Sequence, residues 1–328
     1  APSASHLAPD IVGNSMQLQN QLHYARTIAG FNEPVLITGD TGTGKDLIAK
    51  YIHYHSNRQS HPLHIVNCGA INPELFESEF FGHVKGAYTG ATGDHAGHFA
   101  KANQGTLVLD EVTEMDLKFQ VKLLRAIENQ EVYPVGSQKM IRLNTRIIAL
   151  TNRNIREQIQ QGRFREDLYY RLNRYHLHLT PLCERPRDIQ PLGEYYIGKS
   201  WFSTVNEWRS QIDPQVYELL KQMKLPGNVR DLQNLILKVI SYKRPSEPFL
   251  SCADFERVID QSDLIASPSS LPVDQLNTYL TNAERTRILE TLSTNDFNIS
   301  NAAKQLGVSR QNLQHRMKRL NIRNPVHG

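Results

Sequence analysis

The chain has 328 residues, of which 39% are hydrophobic and 21% are charged, and its formal net charge at pH 7 is +4. This length accommodates two or three domains, each large enough to bury a core. No apolar run is long enough to span a bilayer, so we expect no membrane association, and no signal peptide is indicated. Three widely spaced cysteines give no disulfide framework and favour a reducing, cytoplasmic setting. The chain does not begin with methionine and is interpreted as a fragment of a longer protein.

The positive charge is concentrated at the carboxyl end of the chain. Residues 301–328 contain six lysine and arginine residues and neither Asp nor Glu, so residues 1–300 carry a net charge of −2. A localised basic segment of this kind indicates a polyanionic partner such as nucleic acid. A solvated basic terminus is the alternative if the segment has no further pattern.

Four apolar stretches predict buried β-strands, at residues 34–38, 64–68, 105–111 and 145–150. Helical stretches separate them, which is typical of an α/β fold whose parallel sheet is covered on both faces. A weak helical period precedes the first strand. A helix predicted over residues 116–130 buries one face, formed by Leu117, Val121, Leu124 and Ile127.

A glycine-rich segment follows the first strand and precedes a helix. Its backbone N–H groups, the helix N-terminus and a lysine are suited to cradling phosphates. The residues expected to hold a nucleotide are Gly39, Asp40, Thr41, Gly42, Thr43, Gly44, Lys45 and Asp46. The general P-loop pattern has Ser or Thr at position 46, so the hydroxyl ligand of Mg²⁺ is missing. A glycine-rich turn without a ligand is the alternative interpretation.

Polar side chains end the other predicted strands at the same edge of the sheet, where open parallel sheets bind ligands. Asp110 and Glu111 end the third strand, and Asn67 and Asn152 lie at the ends of the second and fourth. Hydrolysis of ATP needs such carboxylates: Asp110 to hold Mg²⁺ and Glu111 to polarise the attacking water. The convergence on the P-loop indicates ATP and Mg²⁺ as cofactors, whereas a solvated acidic turn is the alternative.

Residues 80–93 form a glycine-rich stretch that argues against a regular element and places Tyr88 among small residues. A flexible loop with an aromatic tip is suited to contacting a partner. The residues alone leave open a surface loop whose ring folds back on the core.

Together these segments resemble the bacterial enhancer-binding proteins, AAA+ ATPases that activate transcription by RNA polymerase carrying sigma-54. The resemblance runs in order from about residue 11 to about residue 260, and its motifs lie at residues 39–46, 82–91, 105–111, 162–172, 181–189 and 225–232. In that family the position after the P-loop lysine is normally acidic, which agrees with Asp46. The resemblance implies an AAA+ P-loop sheet over residues 1–180 and a helical lid over residues 181–262.

The resemblance also implies roles at the nucleotide. Lys45 would bind the β- and γ-phosphates, and Asn67 would be the switch residue that interacts with Glu111. Asn152 matches the first sensor of the γ-phosphate, and Arg230 matches the second sensor, on the lid.

Arg165 and Arg171 match the arginines that reach the nucleotide of a neighbouring subunit in that family. Guanidinium groups stabilise phosphoryl charge, and donating them in trans couples hydrolysis to assembly. A homo-oligomer, from dimer to hexamer, is therefore expected. From the residues alone, a surface salt bridge is the alternative.

The segment formed by Gly86, Ala87, Tyr88, Thr89, Gly90 and Ala91 resembles the GAFTGA loop of that family, which engages sigma-54 in a nucleotide-dependent way. Tyr88 stands where the family has Phe, which keeps the ring and adds a hydroxyl. Val84 stands near the loop base, where the family usually has an acidic residue. Without that carboxylate, the ATP-dependent positioning of the loop is expected to change. Cys183 replaces an arginine and Leu225 a tryptophan, and both are expected to alter packing.

The lid segment has a helical period, with one apolar face at Val216, Leu219, Leu220 and Met223 and another at Leu232, Leu235, Ile236, Val239 and Ile240. The pairs Tyr195–Tyr196 and Trp201–Phe202 are predicted to belong to the core. Residues 263–275 have the composition of a linker.

Residues 276–328 are predicted to form a small all-α domain that resembles the Fis-type helix-turn-helix domains closing many enhancer-binding proteins. Ser300 and Ser309 cap two short helices, Gly307 allows the turn, and Met317 faces inward with two leucines. The residues expected to contact DNA are Ser309, Arg310, Gln311, Asn312, Gln314, His315 and Lys318. A hairpin for protein interaction is the alternative.

Closely spaced histidines invite a metal interpretation, at positions 53 and 55, 61 and 64, 95 and 98, and 176 and 178. No Cys or carboxylate completes a recognised ligand spacing, and the four pairs belong to different elements. Ordinary surface or partly buried histidines are the favoured interpretation.

The sequence therefore predicts an ATP-driven transcriptional activator. It would bind enhancer DNA through residues 276–328 and remodel the sigma-54 RNA polymerase holoenzyme so that closed promoter complexes open. The alternative is a DNA-binding regulator whose nucleotide site controls oligomerisation without remodelling sigma-54.

Overall fold

A computed structural model of the chain describes residues 9–201, 212–243 and 249–260, together with residues 291, 301, 302 and 317. The chain divides into two compact units, residues 1–262 and residues 263–328. In the described part of the first unit, a parallel sheet is followed along the chain by a group of helices.

Seven strands are present in the described ranges: β1 (Val35–Thr38), β2 (Leu63–Asn67), β3 (Thr106–Asp110), β4 (Glu131–Val132), β5 (Ile141–Arg142), β6 (Arg146–Thr151) and β7 (Tyr175–His178). Five of them form one sheet in the order β2-β3-β6-β1-β7, and every neighbouring pair is parallel. The α/β class and the four predicted strands are confirmed. The other two strands form a short antiparallel pair.

The helices of the described ranges are α1 (Met16–Ala29), α2 (Lys45–Tyr54), α3 (Phe76–Phe81), α4 (Gly97–Lys101), α5 (Leu117–Asn129), α6 (Ile155–Gln160), α7 (Glu166–Leu172), α8 (Ile189–Trp201), α9 (Gln215–Gln222), α10 (Asn228–Tyr242) and α11 (Cys252–Asp260). Short 3₁₀ turns cover Cys68–Ala70, Val112–Glu114, Leu182–Glu184 and Pro186–Asp188.

Both faces of the sheet are buried because successive strand residues point to opposite sides. In β1, Leu36 joins one hydrophobic cluster, which includes side chains of α3, α5 and α7. Val35 and Ile37 join a second cluster, which includes side chains of α1 and α2. The continuous apolar strands of the sequence therefore have the two-sided cover that was predicted.

The buried face of α5 differs from the prediction. Leu117 is 45% exposed, whereas Phe119 and Leu123 are buried. The ring of Phe119 stacks on Phe76 with centroids 4.2 Å apart. Gln120 is buried as well, since its amide donates to the carbonyl oxygen of Met115 at 2.7 Å. A prediction from apolar residues alone assigns such a glutamine to the solvent side. The predicted buried face is therefore rotated about the helix axis relative to the observed one.

Strands β4, β5 and β7 were not predicted. Strand β7 pairs with β1 on one side only, and Leu177 is its one buried residue. The alternating sequence of Tyr175, His176, Leu177 and His178 is a signal for such an edge strand. Strands β4 and β5 have two residues each, which is too short for any periodicity.

Arg146 ties the sheet to the end of α1. Its side chain is buried, with 1% exposure, and its two terminal nitrogens donate to the carbonyl oxygens of Ala29 and Ile28 at 2.8 Å each. Burial lowers the pKa of Arg146 to about 10. The last carbonyls of a helix have no partner within the helix, so this arginine supplies them.

We expect Arg146→Ala to lower the free energy of unfolding by about 2–4 kcal/mol, because it removes two buried hydrogen bonds and opens a cavity. Urea denaturation followed by circular dichroism measures this loss. Arg142→Ala removes an exposed arginine from the neighbouring segment and serves as the control. Equal midpoints for the two variants would contradict the assigned role.

Helices α8 to α11 pack around a hydrophobic cluster of their own. The predicted faces are confirmed at Val216 and Leu220 in α9, and in α10 at Leu232, Leu235, Ile236 and Val239, all of which are buried. Tyr195 is 37% exposed, so its prediction as a core residue is wrong, whereas Tyr196 is partly buried against the cluster. The side chain of Trp201 and all of Phe202 lie outside the described residues.

Of the second unit the structure describes four residues, all helical, and two of them, Ala302 and Met317, are buried. This agrees with the inward position predicted for Met317. The predicted linker and the seven residues expected to contact DNA lie outside the described residues. In the described ranges, no helix has both the length and the apolar character needed to cross a bilayer.

Candidate functional site

The glycine-rich loop between β1 and α2 has the conformation of a phosphate cradle. Gly44 has φ = +98°, in the left-handed region, and immediately precedes the first residue of α2. The ammonium group of Lys45 donates to the carbonyl oxygens of Gly39 at 2.7 Å and Asp40 at 2.9 Å. The lysine is therefore held across the loop at the helix N-terminus, where an anion is stabilised.

Lys45 and Asp110 influence each other's protonation. Burial lowers the pKa of Lys45, while the carboxylate of Asp110 acts in the opposite direction. Burial and the charge of Glu111 raise the pKa of Asp110, and Lys45 opposes this rise. The strand-end carboxylate thus lies within electrostatic reach of the P-loop lysine, as the sequence predicts.

Glu111 follows β3 with φ = +53°, a left-handed conformation that is uncommon for a residue with a side chain. Its backbone N–H donates to Oδ1 of Asp110 at 3.0 Å. Such a conformation costs on the order of 1–3 kcal/mol and persists where the surroundings enforce it, often at functional sites.

Asn67, at the end of β2, contacts Glu111 directly. Its Nδ2 donates to Oε2 of Glu111 at 3.3 Å. Its Oδ1 accepts from the backbone N–H groups of Gly69 at 2.9 Å and Ala70 at 3.1 Å. Because these two donors engage the oxygen, the amide group is oriented with its nitrogen toward the glutamate.

Asn152 lies directly after β6 and contacts the P-loop. Its Nδ2 donates to the hydroxyl oxygen of Thr41 at 2.9 Å. Arg230, in the first turn of α10, is exposed, and its positive charge contributes to lowering the pKa of Lys45. The structure therefore brings both residues that match the family sensors to the P-loop.

Arg165 and Arg171 lie at the two ends of α7. The guanidinium of Arg165 is exposed and makes two hydrogen bonds to Asp167, at 3.0 and 2.6 Å. Arg171 is half-buried and donates to the carbonyl oxygen of Ile127 at 3.5 Å. Within the described ranges neither guanidinium has a hydrogen bond to residues 39–46 of its own chain. The salt bridge left open by the sequence is present at Arg165.

A cavity of about 350 Å³ lies beside the P-loop. Gly44 and Leu47 line it from the P-loop side, Tyr195 and Val229 line it from the helices of the lid, and Ile11 lines it from the segment before α1. Sequence reasoning missed Ile11 and Tyr195. The apolar pair of residues 11 and 12 in a polar terminus is the signal that would have indicated the first.

The loop of residues 86–91 is anchored at its base and carries Tyr88 near its tip. Val84 bonds through its N–H to the carbonyl oxygen of Val135 at 3.1 Å, and Ala91 is buried. Tyr88 is 39% exposed, and its hydroxyl lies 3.4 Å from the hydroxyl oxygen of Ser78. The ring therefore leans toward α3 while part of it stays accessible.

Histidines connect the loop base to β2. His83 pairs through its backbone with His95 and approaches the ring of Tyr88 edge-on, with centroids 5.2 Å apart. His98 on α4 lies 2.9 Å from His64 on β2, measured between ring nitrogens. In the described ranges no group of three or more His, Cys, Asp or Glu residues is arranged to hold a metal ion.

The pKa of His98 is lowered to about 4, first by burial and then by the neighbouring His64 and Lys101, while Glu79 acts in the opposite direction. A histidine ordinarily titrates near 6.5, so below that pH the unfolded chain binds a proton that the folded chain does not. Stability is therefore lost as the pH falls from about 6.5 to about 4, by at most about 1.4 kcal/mol per pH unit.

We expect His98→Asn to flatten this pH dependence, because asparagine keeps a polar atom toward His64 and does not titrate. Urea midpoints measured at pH 7.5, 6.5 and 5.5 give the slopes, and His23→Asn removes an exposed histidine as the control. An unchanged slope in His98→Asn would contradict the assignment.

Comparisons with known proteins agree with this geometry. Residues 11–178 match the sigma-54 interaction domain, residues 183–271 match the AAA+ ATPase lid domain, and residues 279–320 match the Fis family of bacterial regulatory proteins. The first match covers more than half of the chain.

Relatives and solved structures extend the agreement. The regulatory protein AtoC of Escherichia coli is 39% identical over 316 residues, covering 95% of this chain and 68% of that protein. The response regulator PilR of Pseudomonas aeruginosa is 37% identical, covering 95% and 70%. The crystal structure of NtrX from Brucella abortus in complex with ADP is 29% identical, with a TM-score of 0.69, and covers 95% of this chain and 69% of NtrX. This chain therefore belongs to the sigma-54-dependent transcriptional activators, a family of AAA+ ATPases with a Fis-type DNA-binding domain.

Proposed function

We propose that this chain hydrolyses ATP between the subunits of a homo-oligomeric ring and uses the energy to move the loop of residues 86–91 against sigma-54. The observation that carries the proposal is the convergence of Lys45, Asp110, Glu111, Asn67 and Asn152 at one edge of the sheet. NtrX, which has the same fold, has been crystallised with ATP and with ADP.

Each group at this edge has a defined task in the proposed reaction. Lys45 exchanges the carbonyl oxygens of Gly39 and Asp40 for the outer phosphates. Glu111 orients the attacking water through one carboxylate oxygen, while Asn67 restrains the carboxylate through the other oxygen, Oε2. Asn152 orients the γ-phosphate from the far side of the P-loop.

The donor set fits a magnesium ion, since Asp110 offers a carboxylate near the phosphates and Mg²⁺ prefers oxygen ligands. Mg²⁺ would supply charge neutralisation on the transferred phosphoryl group. Asp46 stands where other P-loops have a hydroxyl ligand, so Asp110 is the residue that we assign to the ion.

Arg165 and Arg171 are assigned to the nucleotide of the neighbouring subunit. Support comes from the exposure of Arg165, whose guanidinium projects from the N-terminus of α7 and is held by Asp167. A guanidinium donated in trans stabilises phosphoryl charge only after assembly, so hydrolysis depends on the ring.

The path from the site to the loop follows contiguous contacts. Asn67 and His64 both belong to β2, so a shift at Glu111 reaches His98 on α4 through the contact between the two imidazoles. Helix α4 packs on α3, whose end leads into the loop.

We assign residues 276–328 to binding enhancer DNA and place the ring in the cytoplasm. The domain boundaries are those that the sequence predicts.

We expect Lys45→Ala to weaken ATP binding at least about hundredfold, because it removes the cation aligned with the outer phosphates. Isothermal titration calorimetry with MgATP measures the loss. Lys50→Ala changes another lysine of α2 and serves as the matched control. DNA binding by the 328-residue chain should persist in the variant, and its loss would contradict a modular organisation.

Tyr88→Ala should leave ATP hydrolysis within about threefold of the unchanged protein but abolish open-complex formation on a sigma-54 promoter, because the loop lies outside the hydrolytic site. Tyr88→Phe, which keeps the ring, should retain activation. Tyr242→Ala removes an exposed tyrosine of α10 and serves as the control. Full activation by Tyr88→Ala would show that the loop assignment is wrong, whereas ATP hydrolysis without any open complex in the unchanged protein would favour a regulator that does not remodel sigma-54.

A further inference from the structure

We propose that Asn228 is a positioning residue of the nucleotide site: from the lid, it holds the P-loop peptide between Thr41 and Gly42 in the orientation that receives phosphate. This inference rests on the nucleotide site proposed above. It concerns a residue that matches no role implied by the family resemblance.

Three consecutive carbonyl groups of the P-loop accept hydrogen bonds from residues of the lid segment. Nδ2 of Asn228 donates to the carbonyl oxygen of Thr41 at 3.0 Å. The backbone N–H of Val229 donates to that of Gly42 at 3.0 Å. The guanidinium of Arg185 donates to that of Thr43 at 3.2 Å. The outer side of the loop is thereby fixed at three successive peptides.

The orientation of the Asn228 amide is determined by its partners. Its Oδ1 accepts from the backbone N–H of Leu182 at 2.6 Å, and this group can only donate. Its Nδ2 faces two carbonyl oxygens, those of Thr41 and Pro226, which can only accept. Asn228 is 2% exposed and has φ = +54°, a left-handed conformation that asparagine tolerates better than most residues.

The planarity of the peptide bond converts these outer contacts into an effect on the phosphate side. In a trans peptide the C=O of one residue and the N–H of the next point in opposite directions. A carbonyl of Thr41 held toward Asn228 therefore turns the N–H of Gly42 away from the lid contact. The carbonyl groups of Gly42 and Thr43 are held in the same way, so the N–H groups of Thr43 and Gly44 also point away from the lid, and that of Thr43 donates within the loop to the carbonyl oxygen of Asp40 at 3.4 Å. Backbone N–H groups are the donors with which P-loops bind phosphate.

A buried ion pair fixes the third contact, the hydrogen bond from Arg185 to the carbonyl oxygen of Thr43. Arg185 and Asp188 are both buried and pair at 3.4 Å. Asp188 also accepts from the backbone N–H and the hydroxyl of Ser15, the cap of α1, each at 2.7 Å. Burial lowers the pKa of Arg185, and the carboxylate of Asp188 opposes this. The network joins the lid segment, the P-loop and the segment before α1, so the contacts cannot shift independently.

The same arrangement explains why position 42 requires glycine. A Cβ atom at Gly42 would collide with the carbonyl oxygen of Gly227, and its φ of +75° disfavours other residues. Lid and P-loop backbones are therefore in direct contact at this point. A movement of the lid by an ångström would break these hydrogen bonds, so phosphate affinity depends on the lid position.

The matched test compares Asn228→Asp with the unchanged 328-residue chain. Aspartate has the same shape and still accepts from Leu182, but it presents an oxygen to the carbonyl of Thr41. We expect the Kd for MgADP to rise about tenfold in titration calorimetry, and the KM for ATP to rise similarly while kcat changes less than about threefold. Lys221→Ala, in an exposed pair with Glu218 on α9, is the control.

Hydrogen exchange separates positioning from a general loss of structure. Amide exchange should accelerate in the peptide that covers residues 39–44 and stay unchanged in the peptide of α9. Asn228→Gly accommodates the positive φ and removes both side-chain contacts without adding charge, so it should also weaken MgADP binding.

Unchanged MgADP binding in both Asn228 variants, with binding intact in the unchanged chain, would overturn the inference alone. Faster exchange throughout the lid in both variants would also overturn it, since it would show a structural role only. A failure of the unchanged chain to bind MgADP would overturn the proposed function, and this inference with it.

Discussion

The parallel register of the sheet is the constraint on which the candidate site depends. Asn67 pairs in register with Asp110, and Thr38, the last residue before the P-loop, pairs with Thr151, which precedes Asn152. Strand ends of a parallel sheet meet at one edge, so side chains separated by up to about a hundred residues along the chain converge there. The apolar residues of the strands enforce this register, because a slip of one residue would turn their buried side chains to the wrong face.

The sequence was informative wherever one residue type answered one physical demand. Continuous apolar strands, the glycine-rich loop and strand-end carboxylates follow from local chemistry, and the structure places them as predicted. It was uninformative where a polar residue had a buried partner. Gln120 and Arg146 look solvent-exposed by composition, yet each donates to a backbone carbonyl far along the chain, that of Arg163 and that of Ala29 respectively. The edge strand β7 and the exposed Tyr195 were misjudged for the related reason that burial depends on tertiary neighbours.

The loop of residues 86–91 shows how a family motif and local physics combine. Its base is fixed by backbone pairs of His83 with His95 and of Val84 with Val135. Its tip has hydrogen bonds within the loop, such as that from the N–H of Ala91 to the carbonyl oxygen of Tyr88 at 3.0 Å, and the ring of Tyr88 contacts Ser78 and His83 while staying partly exposed. A firm base with a lightly held tip allows a displacement at β2 to be transmitted while the ring can still leave its resting contact. The hydroxyl of Tyr88, absent from phenylalanine, adds a polar partner to that resting contact.

Thr41 is the residue at which the two halves of the proposed mechanism meet. Its hydroxyl accepts from Asn152, at the end of the central strand β6, and its carbonyl accepts from Asn228, on the lid. Asn152 is assigned to the γ-phosphate, so loss of that phosphate on hydrolysis changes the demand on one amide while the other still holds the same residue. Because both hydrogen bonds act on one short segment next to Gly42, a change at either amide can be accommodated by rotation of the Thr41 peptide and by movement of the lid. The buried pair of Arg185 and Asp188 resists separation of the lid from the loop, so rotation and lid movement are coupled rather than alternative.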